Sequence, residues 1–104
     1  MIVAEFICGK NLMTGFTVSG HAGYNTNGND IACASVSSAV QFAANLITEI
    51  FKVKSDVYVG DDIIRFKLCS ESEQAGKIIS GLKLQLELLS QEFPKTINIK
   101  ILEV

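Results

Sequence analysis

His21, the only histidine in the chain, stands twelve residues before Cys33. Nucleophilic thiol chemistry needs a thiolate, a base within reach, and partial positive charge for the anion that forms. The stretch from Gly20-His21-Ala22-Gly23-Tyr24 through Asn25 to Asn29 and on to Asp30-Ile31-Ala32-Cys33 holds residue types suited to all three. Its glycines (Gly20, Gly23, Gly28) and asparagines permit the tight turns that fold such a stretch back on itself. These residues point to a cysteine hydrolase, with a peptide bond as the first class of substrate to consider.

A helix is expected to open near Ile31 with Asp30 as its N-cap, which places Cys33 in the first turn. Unpaired N–H groups at a helix start favour a thiolate and could bind an oxyanion. Ser37, one turn further on, is within hydrogen-bonding reach of the same place. Each residue also has a plainer reading. A lone cysteine commonly packs as a small hydrophobe, Asp30 as a cap serves the helix alone, and Ser37 is tolerated on a helix flank. Tyr24 reads equally as a loop anchor or a substrate contact. The glycines read as simple turns or as a lid. Cys8 and Cys69 fall in strands, where core packing is expected. Zinc is disfavoured, because His21, Cys8, Cys33 and Cys69 contain no closely spaced pair. The thiol chemistry calls for no cofactor.

The elements that must position these residues follow from periodicity. Ile2 to Cys8 reads as a strand, Gly9-Lys10-Asn11 as a turn, and Met13 to Ser19 as a second strand with Phe16 and Val18 on one face. A helix from about Ile31 to Phe51 carries the stripe Val36, Val40, Ala43, Ile47, Ile50. Val57-Tyr58-Val59 and Ile63 to Leu68 flank Gly60-Asp61-Asp62, a hairpin signal. Ser70 with Glu73 resembles a capping box opening a second helix, which is expected to bury Ala75, Ile78, Ile79, Leu82, Leu86 and Leu89 and to end at Pro94. The last strand alternates, with Ile97, Ile99 and Ile101 inward and Thr96, Asn98 and Lys100 outward. The order ββαββαβ favours an α+β fold, a mostly antiparallel five-stranded sheet with both helices packed on one face, with other topologies open to the same order.

At 104 residues the chain fits one domain spanning 1–104. Its net charge of −2 and scattered basic residues give no footprint for direct nucleic-acid binding. No uninterrupted apolar run approaches the roughly 18 residues of a membrane span, so no membrane contact is expected. The N-terminus lacks a signal-peptide pattern. Three widely spaced cysteines argue against a disulfide framework and for a reducing cytoplasm. Phe42, Leu84 and Leu88 lie off the main helical stripes, which implies either packing between the helices or a homodimer interface.

Gly20-His21-Ala22-Gly23-Tyr24, followed by Asp30-Ile31-Ala32-Cys33-Ala34 and Ser37, resembles the ribosomal-processing cysteine protease family, Prp. The likeness extends over the whole chain, with Ala32 and Ser35 as departures that remove no reacting group. It implies a small cytoplasmic homodimer that removes an N-terminal extension from bacterial large-subunit ribosomal protein twenty-seven and so supports ribosome assembly. By this resemblance Cys33 is the nucleophile and His21 its base. Asp30 and Ser37 are supporting residues, and Gly20 is a hinge. The competing reading is a non-catalytic module that binds a peptide or a ribosome-assembly partner. A thiol redox role is disfavoured, since no resolving cysteine lies near Cys33.

Overall fold

The computed structural model describes residues 1–21 and 27–104, residues 27–30 by backbone alone. Strands β1 (Ile2–Gly9) and β2 (Leu12–Ser19) precede helix α1 (Asn27–Asn45), which runs on into a π-helical turn, Leu46–Ile50. Strands β3 (Ser55–Val59) and β4 (Ile63–Leu68), helix α2 (Glu73–Glu92) and strand β5 (Ile97–Glu103) complete the expected order. The strands lie side by side as β3-β4-β2-β1-β5. Every pairing is antiparallel except that of β1 with β5.

The period-two pattern decides which face of the sheet is covered. Ile2, Ala4 and Phe6 of β1, Phe16 and Val18 of β2, and Phe66 and Leu68 of β4 are buried. Register places Phe6 opposite Phe16 and Phe16 opposite Phe66. The Phe16 and Phe66 rings stack at 5.0 Å and Phe6 lies 6.2 Å away, an aromatic row across three strands. Val36, Val40, Ala43 and Ile47 from the first helix, and Ala75, Ile79, Leu82, Leu86 and Leu89 from α2, join the same cluster. Both helices therefore cover one face, as the stripes require.

Several expectations are corrected. Helix α1 opens at Asn27, a turn earlier than Ile31, so Asp30 lies within the helix and not at its cap. Ser72, not Ser70, caps α2, its Oγ accepting from the Ala75 N–H at 3.2 Å. Ile78 is only half-buried. Ile50 is 70% exposed, because the π-helical turn, closed by the Phe51 N–H donating to the Leu46 carbonyl, rotates it away from Ile47. On β5 Ile97 is buried but Ile101 is half-exposed, since an edge strand is only partly roofed. Thr96, expected outward, is buried and its hydroxyl donates to the Phe93 carbonyl.

Residues Ile31–Ile50 form a helix long and apolar enough to cross a bilayer, contrary to the expectation from uninterrupted runs. In this fold the stretch has another use, with Val36, Val40, Ala43 and Ile47 buried against the sheet.

Candidate active site

Gly20 ends β2 with φ +87°, and a Cβ there would lie 2.5 Å from the Met1 carbonyl oxygen. Only glycine meets both conditions without strain. The Gly20 N–H donates to the Asp62 carbonyl at 2.9 Å, tying the end of β2 to the β3–β4 turn. That turn is itself closed by the Gly60 N–H donating to the Ile63 carbonyl at 2.8 Å. The tie delivers His21 to Asp62, with His21 Nε2 2.7 Å from Asp62 Oδ1. A Gly20→Ala variant is expected to lose about 1–3 kcal/mol of stability in denaturant titration. Stability and activity equal to the parent would show that the turn tolerates a side chain.

The first helix supplies the facing wall. Cys33, half-buried and packed against the core, borders a cleft of about 480 Å³ together with Ser37, Gly20, His21 and Asp62. Ile2, Val18, Val36 and Val40 give this cleft apolar walls. Ser37 Oγ accepts from Gln41 Nε2 at 2.9 Å. The histidine, the cysteine and the serine singled out in the sequence thus share one cavity.

Asp30 is placed differently from the expectation, and so is the helix-end field. With α1 starting at Asn27, Cys33 is its seventh residue, and its N–H belongs to the i→i−4 ladder. The helix start lies more than a turn before Cys33, so Cys33 is not in the first turn as expected. Ala22, Gly23, Tyr24 and Asn25, with the lid reading attached to them, lie outside the described residues. Cys69 is exposed just beyond β4, where core packing was expected, and Cys8 is half-buried.

Asp62 is the partner of His21 that the sequence reading missed. Its place in a Gly-Asp-Asp hairpin turn gave it a sufficient structural explanation, and its partner lies on a distant strand. The available signal was a second acid in a turn that needs only one.

A larger groove of about 930 Å³ runs between the two helices, lined by Ile31, Phe42, Ile78 and Leu89 among others. It carries hydroxyl and amide groups but no titratable side chain. Phe42 is 70% exposed, and Leu84 and Leu88 are at least half-exposed, which rules out the reading that they pack between the helices of one chain. Among the described residues no cluster of three or more histidine, cysteine or acidic side chains could hold a metal ion.

The molecule is thus a five-stranded sheet roofed on one face by two helices, with a thiol and an imidazole bordering one cleft. A sequence model described as cysteine protease Prp matches residues 1–98, and the chain belongs to that family. The Prp ribosomal processing protease from Staphylococcus aureus, solved with a covalently linked product peptide, superposes with a TM-score of 0.88 at 20% identity, covering 98% of this chain and 100% of that one. The same protease with a substrate peptide gives 0.87 at 19% identity, with the same coverage. SMU.848 from Streptococcus mutans gives 0.83 at 24% identity, covering 100% of this chain and 96% of that one. No curated protein matches the chain.

Proposed function

We propose that this protein is a cytoplasmic cysteine endopeptidase that removes the N-terminal extension of bacterial large-subunit ribosomal protein twenty-seven. In this reading Cys33 is the nucleophile and His21 the general base. The observation that carries it is the convergence of the sole histidine and Cys33, from different elements, on one cleft. Family membership and the peptide-bound S. aureus relatives support a peptide substrate. The apolar walls suit an extension rich in hydrophobic side chains.

The reaction begins when His21 takes the Cys33 proton and Sγ attacks the scissile carbonyl carbon. A C–S bond forms and the carbonyl electrons move to oxygen. The imidazolium returns its proton to the leaving amine as the C–N bond breaks, leaving a thioester. Water, deprotonated by His21, attacks that thioester, and the C–S bond breaks to restore the thiol. Ser37 and Gln41 border the cleft where they can contact the peptide, and Asp30 is kept as a supporting residue by resemblance alone. The test is to mix the protein with the host's extended ribosomal precursor and follow it by mass spectrometry. A single cut releasing the extension is the expected result, and an intact precursor would defeat the assignment.

The proposed assembly is a homodimer covering Phe42, Leu84 and Leu88, since apolar patches of this kind are seldom left wet. Sedimentation is expected to give twice the 11.3 kDa chain mass, and Phe42→Asp to shift it toward a single chain. A monomeric parent protein would remove the homodimer from the proposal.

A further inference from the structure

We infer that Asp62 is a positioning residue for His21, fixing which imidazole nitrogen exchanges a proton with Cys33. The inference rests on the reading of His21 as the base. An imidazole has two nitrogens on different edges of its ring, and in the neutral form one donates while the other accepts. His21 Nε2 lies 2.7 Å from Asp62 Oδ1. A carboxylate only accepts, so Nε2 carries the hydrogen and Nδ1 is left as the basic atom. When Nδ1 takes the thiol proton, the imidazolium keeps its Nε2–H bond to Asp62. The carboxylate stays ionised and takes no proton itself.

Two features make this arrangement more than a surface ion pair. Asp62 holds the His21 segment twice, through its carboxylate on the ring and through its carbonyl on the Gly20 N–H. Both groups also border the cleft that contains Cys33. The two side chains are 54% and 60% exposed, so water screens their direct attraction. The contribution of Asp62 is therefore orientation and tautomer rather than a large electrostatic gain, and it grows when a bound peptide displaces water from the cleft. The backbone tie does not depend on the side chain, so Asp62→Ala leaves the turn in place.

The same exposure makes the site open to a small carboxylate, which gives a direct test. In Asp62→Ala, kcat on the extension peptide is expected to fall about 10- to 100-fold while KM changes by less than about threefold. Added formate is expected to restore part of the loss, and chloride at equal ionic strength to restore none. Iodoacetamide labelling of Cys33, followed by peptide mapping, should show the same loss and the same formate rescue without any peptide substrate. An unchanged kcat, or a loss that formate does not specifically relieve, would overturn the role of Asp62. If His21→Ala leaves both labelling and cleavage unchanged, the reading of His21 as base fails instead. The His21→Ala arm thus separates the two proposals.

Discussion

Cys33→Ala is expected to fold like the parent protein yet lose cleavage of the extension peptide by at least about 10⁴-fold, because no second nucleophile can form the thioester. His21→Ala should lose a comparable amount, and the double variant should be scarcely worse than either one, since the two groups act on the same step. Cys33 is half-buried, and its replacement removes only a sulfur atom, so the expected destabilisation is at most about 1 kcal/mol. Circular dichroism and a thermal melt separate the two effects. A Cys33→Ala protein that still cuts the precursor would place the nucleophile elsewhere, with exposed Cys69 the next thiol to test.

The largest stability effect is expected at Phe16. Its ring is fully buried, stacks on Phe66 at 5.0 Å and touches the Phe6 row on the other side. Phe16→Ala removes the middle member of a three-strand row and leaves a cavity that its rigid neighbours cannot fill. A loss of about 3–5 kcal/mol in denaturant titration is expected, a large share of the stability of a small domain. Phe16→Leu should recover much of it, as a volume closer to the original is tolerated best. A Phe16→Ala protein within about 1 kcal/mol of the parent would show that β2 is free to relax against β4.

The order of elements was legible because each hydrophobic period had one clear interpretation. Ile2, Ala4 and Phe6 alternate as a half-covered strand must, and Val36, Val40, Ala43 and Ile47 repeat at helical spacing. The start of α1 was not legible, because Asn27, Gly28 and Asn29 are poor helix formers and read as loop. Thr96 broke the alternation for another reason. A polar side chain at a strand's start becomes an inside residue once a nearby carbonyl accepts its hydroxyl.

The candidate site residues were legible to the extent that rare residue types mark them. A single histidine and a cysteine near an expected helix start stood out, and one cleft contains both. Asp62 did not stand out, since aspartate is common in turns and only three-dimensional register brings β2's end to the β3–β4 hairpin. The π-helical turn likewise has no sequence mark, yet it decides that Ile50 faces outward.

The parallel pairing of β1 with β5 has a consequence for biosynthesis. β1 is synthesised before β5, but its outer backbone groups gain their partners only from residues 97–103. Until those residues emerge, the nascent polypeptide carries a raw, apolar border at Ile2, Ala4 and Phe6, the kind of template on which chains cross-pair. Prematurely terminated products lacking that closing segment are thus expected to clump, and because Ile2 of β1 also walls the cleft, the unpartnered strand leaves that wall unsupported too.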